Sequence, residues 1–207
     1  MMCFRFLCAT LLVVSAISCR NIPESSFPQD ATEVLLVDHA SGSRARARFY
    51  VFDGRWRRVF SCRAAIGRSG LGKTAEGDGK TPCGVFHATG AFGVRPCPGG
   101  NLPYLLLTPS IFACDEPGEY YNTLIDTSVV HHRCKGEDMY RIVPSYNYGM
   151  TIDFNPERVF PKGSNIFVHC FGASRGKSTS GCIALPERRM KRLLTLASCS
   201  TAVVVLD

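Results

Sequence analysis

Residues Gly163 to Leu185 read GSNIFVHCFGASRGKSTSGCIAL. An apolar triplet, Ile166-Phe167-Val168, runs directly into His169; a polar, basic loop then leads to Thr179-Ser180-Gly181-Cys182 and a second apolar run. The triplet predicts a strand, and a strand end is a rigid mount for an imidazole. A glycine just before a cysteine lets another backbone approach the sulfur closely. A thiol is a weak nucleophile until it ionises, its free pKa being about 8.5, and a neighbouring imidazole supplies the base or stabilises the thiolate. The pattern points to a Cys182 nucleophile activated by His169, with a loop long enough to bring them together without a helical crossover.

Working outward, Gly67 to Gly93 is crowded with glycines and turn residues ahead of a strand candidate, Val85-Phe86-His87. Gly67 and Gly72-Lys73-Thr74 meet the spacing of a phosphate loop, but Ala75-Glu76-Gly77-Asp78-Gly79 cannot carry the helix that such a loop opens. Nucleotide binding is set aside for that reason.

Two segments together resemble the catalytic core of the L,D-transpeptidases, the YkuD-type domain of bacterial cell-wall enzymes. In that family a His at a strand end is followed by a loop and [Ser/Thr]-x-Gly-Cys, matched here by His169, Thr179, Gly181 and Cys182. Gly77 to Phe86 matches the family's Gly-Asp-Gly-Lys-Thr-Pro-x-Gly-x-Phe segment, which lies outside the cysteine motif. The resemblance implies a β-rich sandwich or barrel and acyl transfer on peptidoglycan stem peptides without a cofactor. It implies Cys182 as nucleophile, His169 as base and acid, the backbone N–H groups of Gly181 and Cys182 as oxyanion donors, and the carbonyl of Cys170 as the group orienting His169. Thr179, Ser180, Arg175, Lys177 and Tyr121 are the substrate-contact candidates, with Tyr120-Tyr121-Asn122 and Tyr146-Asn147-Tyr148 expected around the cleft. Three features depart from the family: Ala184 where many members have Arg, Cys170 where Gly or Ser is common, and a shorter His-to-Cys loop. Arg175 or Lys177 is the expected replacement for the missing guanidinium, and Cys170 suggests an inhibitory disulfide with Cys182.

Apolar content of 45% and charged content of 20% over 207 residues fit one globular domain with a real core rather than a disordered chain. A formal charge of +7 suits an anionic polymer, and no interleaved aromatic and glycine motif of a nucleic-acid module accompanies it. Met1 to Ser18 carries Arg5 and then an apolar stretch from Phe6 to Ile17, too short to span a bilayer, and reads as an export signal. Ala16-Ile17-Ser18-Cys19 resembles a lipobox, which makes Cys19 the acylated first mature residue and residues 20–32, polar with Pro23 and Pro28, a tether from the membrane. Plain signal cleavage is the alternative. The expected location is the periplasm or cell envelope, with residues 33–207 as the catalytic domain.

Of eleven cysteines, Cys62, Cys83, Cys97, Cys114, Cys134, Cys170 and Cys199 lie outside the signal, the anchor and the candidate site. Their number is odd, so one stays free if the others pair, and connectivity does not follow from sequence. No Cys-x-x-Cys or His-x-x-x-His spacing supports a metal site. His131-His132 sits in a polar connector, and His39 and His87 have no partner in the sequence.

Val34 to Val37 predicts a buried strand; Arg46–Phe52 and Arg55–Phe60 flank Asp53-Gly54, a hairpin signal. Arginines at 44, 46, 48, 55, 57, 58 and 63 form a basic band read as a solvated sheet face, and Trp56 is expected to pack. Pro186 to Ala197 predicts a helix with Met190, Leu193, Leu194 and Ala197 on one face, and Thr201 to Leu206 a final buried strand. The reading is therefore a mainly β domain with one helix near the C-terminus, acting as a transpeptidase. A hydrolase of the same fold and a non-catalytic wall-binding lipoprotein are the alternatives.

Overall fold

Around Asp53-Gly54 the chain reverses, and β2 (Arg44–Phe52) and β3 (Trp56–Ala65) pair antiparallel, with Gly54 at φ 88°, a conformation glycine adopts without penalty. The structure is a computed structural model that describes residues 26–131, 135–173 and 176–207. Along β2 the alternation is regular: Ala45, Ala47 and Phe49 are buried while Arg44 and Arg46 are exposed. Arg48 departs from the solvated band expected for these arginines. It is 9% exposed and pairs with Asp38 on the neighbouring strand, because the outer face is covered at that level.

That neighbouring strand is β1 (Glu33–Ser41), which also pairs in parallel with β12 (Thr201–Val205). Both are buried on two faces. Leu35, Val37, Val203 and Val205 join the main core, while Val34, Leu36, Ala202 and Val204 pack against Phe27 and Ala31 on the other side. Burial on both faces explains why these segments read as unbroken apolar runs rather than as alternation. Trp56 packs, as expected, with its ring 5.0 Å from that of Phe27 and 5.3 Å from that of Phe52.

Further along come β4 (Gly84–Gly93), β5 (Tyr104–Leu106), β9 (Gly149–Ile152), β10 (Phe167–Cys170) and β11 (Ile183–Leu185). The strands of the main sheet are ordered β12-β1-β2-β3-β11-β10-β9-β4-β5, and β12 also pairs with β4. That second pairing closes the sheet into a barrel, with β5 attached outside the ring. The fold is thus mainly β, and of the two architectures expected it is the barrel. Its interior holds Phe49, Phe60, Ile66, Met150, Val168, Ile183 and Leu185.

Between β5 and β9 a small sheet forms from β6 (Ile111–Cys114), β7 (Thr123–Asp126) and β8 (Gly136–Asp138), in the order β7-β6-β8. Ile111, Ala113 and Met139 from this region pack with Phe92 of β4 and Phe167 of β10, so the small sheet covers the outer face of the barrel. The helix α1 (Glu187–Leu196) begins after Pro186, whose missing N–H costs nothing at a helix start. Its buried face, Met190, Leu193 and Leu194, belongs to the main core.

Among the described residues Cys62, Cys83, Cys97, Cys170, Cys182 and Cys199 are free thiols, and Cys114 is disulfide-bonded. Among the same residues no group of His, Cys, Asp and Glu is arranged to hold a metal ion, and no helix is long and apolar enough to cross a membrane. The segments read as export signal and tether end at position 32, and residues 1–25 of them lie outside the described residues.

Candidate active site

β10 and β11 run parallel, with His169 opposite Ala184 and Val168 opposite Ile183. Side chains alternate across a strand, so Val168 and Cys170 enter the barrel while Phe167 and His169 face the small sheet. Cys182, immediately before β11, packs on the side of Phe167. His169 and Cys182 thereby line one cavity of about 180 Å³, together with Glu137, Tyr146, Thr179 and Ser180.

His169 is 8% exposed, and its Nδ1 lies 2.7 Å from the carbonyl oxygen of Cys170. A carbonyl only accepts, so Nδ1 carries the proton and Nε2 is left as the basic nitrogen. Burial pushes the imidazole down to about 4, opposed by the bond to Cys170. The ring of Tyr146 meets that of His169 edge to face at 5.4 Å. The imidazole is therefore fixed in orientation and neutral at ordinary pH.

The thiol of Cys182 is held by backbone: its Sγ donates to the carbonyl of Asn165 at 3.3 Å and accepts from the N–H of Phe167 at 3.3 Å. Burial pushes it up to about 12, and the carboxylate of Glu137 adds to this; the Phe167 N–H, the Lys73 ammonium and its own N–H act the other way. In this resting arrangement cysteine and histidine are both neutral.

The turn ahead of Cys182 is braced by the Gly77–Phe86 segment. Thr81 Oγ1 donates to the carbonyl of Gly181 at 2.7 Å and accepts from the N–H of Gly67 at 2.8 Å. Gly181 has φ 153°, and a Cβ there would stand 2.9 Å from the carbonyl oxygen of Lys80 and 2.9 Å from Ile166 Cδ1. Below it Lys73 Nζ pairs with Asp78 Oδ1 at 3.0 Å. Asp78 also accepts the N–H groups of Thr74, Ala75 and Lys80. Burial alone would raise this carboxyl, but those N–H donors and Lys73 outweigh it and hold it well below the usual range. The ammonium that a phosphate loop would offer to a nucleotide is thus already paired.

Several sequence expectations change here. The N–H of Gly181 is already engaged by Thr179 Oγ1 at 3.1 Å, whereas the N–H of Cys182 faces its own sulfur. Thr179 lines the cavity but braces the turn, donating to the carbonyl of Cys182 at 2.6 Å. Ser180 lies at the rim, where Arg68 Nη1 reaches its hydroxyl at 3.3 Å. Lys177 is exposed and absent from the cavity wall, its carbonyl accepting from Ser43. Arg175 lies outside the described residues. Tyr121 is no substrate contact: it is 1% exposed, and its hydroxyl donates to Glu76 at 2.7 Å and accepts from Gly163 N–H at 3.0 Å. Its neighbour Asn122 accepts the N–H of Asn165 at 2.8 Å, so this segment anchors the approach to β10. The disulfide between Cys170 and Cys182 is ruled out by geometry, because the two project from opposite faces of the sheet. Tyr146 lines the cavity, as expected of its segment, whereas Glu137 and Arg68 were not foreseen as site residues; Glu137 sits in a short polar connector with no periodic signal around it.

A family model for the L,D-transpeptidase catalytic domain, the YkuD type, matches residues 33–205. The chain belongs to that family, one of cysteine-dependent L,D-transpeptidases and related enzymes of the cell wall that act on peptidoglycan peptides. Two of the solved structures that are similar show the extent of the likeness. One is a mutant of the helical cell shape determining protein Pgp2 from Campylobacter jejuni, with 17% identity over 87% of this chain and 49% of that one, at a TM-score of 0.48. The other is a mutant of the Enterococcus faecium L,D-transpeptidase, with 14% identity over 86% of this chain and 50% of that one, at a TM-score of 0.38. The chain spans about half the length of these structures. No curated protein matches it.

Proposed function

We propose that this domain is a peptidoglycan L,D-transpeptidase in which Cys182 is the nucleophile and His169 the general base and acid. The observation that carries the reading is the cavity shared by the two side chains at the ends of adjacent parallel strands, with His169 oriented through Nδ1 so that Nε2 is its proton acceptor. Because thiol and imidazole are both neutral at rest, proton removal accompanies attack rather than preceding it. Cys182 attacks the carbonyl joining the third residue of a stem tetrapeptide, a diamino acid, to its terminal D-Ala. His169 takes the thiol proton and passes it to the leaving amine. The N–H of Cys182 stabilises the oxyanion, and D-Ala departs to leave an acyl-thioester. An amine of a neighbouring stem resolves it, giving a 3→3 cross-link and returning the proton to the thiol.

Arg68, beside Ser180 at the rim, takes the role expected of Arg175 or Lys177 as partner of the terminal carboxylate. The same proposal places the protein outside the cytoplasm, exported by residues 1–18 and tethered to a membrane through Cys19.

Intact mass of the mature domain after incubation with a stem tetrapeptide, beside Cys182→Ala, tests this reading. A Cys182-dependent acyl adduct, free D-Ala and cross-linked dimers are expected. D-Ala release without dimers would make the domain a hydrolase, and no adduct under reducing conditions would leave a wall-binding protein.

A further inference from the structure

Glu137 stands in the wall of the cavity that contains Cys182, and the first half of the proposed reaction has no use for it. Its negative charge opposes ionisation of the Cys182 thiol. Its Oε2 accepts the hydroxyl of Tyr146, whose ring abuts His169, so the carboxyl is held at the reacting centre from the side of the small sheet. Burial, with Asp115 nearby, raises its pKa, opposed by the Tyr146 bond, and no cation among the described residues pairs with it. A half-buried carboxylate without a cationic partner is costly and is relieved by a cation from outside. In its own half-reaction the acyl-enzyme requires such a cation, because an alkyl amine arrives at neutral pH as an ammonium ion.

Resting on the function proposed above, we propose that Glu137 is the acceptor-binding residue: it draws the primary ammonium of the acceptor stem beside the thioester and receives its proton. The ammonium yields one proton to Glu137, and the free amine attacks the thioester carbonyl, forming the C–N bond. His169 takes the second proton from nitrogen and delivers it to sulfur as the C–S bond breaks. Glu137 then releases its proton to water, so that one ammonium and one thioester become one amide, one thiol and one solvated proton. This assigns to Glu137 the choice between an amine and water as the acyl acceptor.

The test compares wild type, Glu137→Gln and Glu137→Asp, acylated with a stem tetrapeptide and offered either a tetrapeptide acceptor carrying a side-chain ammonium or hydroxylamine, which is uncharged at neutral pH. Glu137→Gln is expected to lower the ratio of ammonium transfer to hydroxylamine transfer by about tenfold or more, with Glu137→Asp retaining part of it. An unchanged ratio, including equal loss for both acceptors, makes Glu137 a structural residue and overturns the assignment. A wild type that forms the Cys182 adduct but transfers it to no ammonium overturns it while leaving the nucleophile in place. A wild type that never acylates overturns both readings.

Discussion

Lys73 and Asp78 form an ion pair of 3.0 Å directly under the turn that presents Cys182, and only 2% of the lysine side chain is exposed. Neutralising one partner of a largely buried pair leaves the other charge without compensation, and here an amide also puts an NH2 donor where one of the two oxygens accepted backbone N–H groups. Asp78→Asn is expected to destabilise the domain by about 3–5 kcal/mol, read from urea denaturation. The pH dependence has a defined sign. Asp78 is depressed in the folded state relative to an unfolded value of about 3.9, so its contribution is complete above about pH 5 and is lost as pH falls through the folded value. The variant will show a flatter acid limb than wild type, and an identical limb would place the acid sensitivity elsewhere.

For the candidate pair, His169 must be unprotonated to accept the thiol proton. With the imidazole lowered to about 4, acylation should stay level through neutral pH and fall only as pH drops towards about 4. A limb near the ordinary histidine value of about 6.5 would contradict this. His169→Ala is expected to slow acylation by about 10²–10⁴-fold, measured by the rate of adduct formation.

Tyr121→Phe separates anchoring from substrate contact. Loss of the hydroxyl leaves the Gly163 N–H without its acceptor and takes from Glu76 one of its donors, Ser164 remaining, which costs about 1–3 kcal/mol. The melting temperature should fall while KM for the stem peptide stays where it was. A raised KM with unchanged stability would restore Tyr121 to the binding surface.

Gly181→Ala places a methyl group 2.9 Å from the Lys80 carbonyl in a conformation that side chains avoid. Displacement of Cys182 should slow adduct formation more than it lowers stability, since the strain, of order 1–3 kcal/mol, falls on the turn that carries the sulfur. Equal acylation rates would mean that the turn relaxes without moving Cys182.

Much of this architecture was legible because it depends on local chemistry. Asp53-Gly54 marks a hairpin through backbone sterics, and Met190, Leu193 and Leu194 mark a helix through their spacing. The parts that were not legible depend on contacts distant in sequence. β6, β7 and β8 are too short to show alternation, so the small sheet went unseen, and with it Glu137. Arg48 looks like its neighbours in the band until β1 supplies Asp38 across the ladder. Thr179 and Gly181 were placed in the right turn, but nothing in their order says that the hydroxyl of one captures the N–H of the other. Tyr121 was misjudged for the same reason: Glu76, 45 positions earlier, takes its hydroxyl.

The pairing of β12 with both β1 and β4 sets the order in which the domain can be completed. A ribosome or export channel delivers the chain N-terminus first, and β12 follows every other strand of the ring in sequence. Until it arrives, the apolar edges of β1 and β4 stay open, and open edges recruit other chains. The reactive cleft, lying across the ring at β10 and β11, therefore belongs to a barrel that shuts only after its last strand has emerged. Vectorial synthesis thus leaves a nascent chain that needs shielding for the whole of its production.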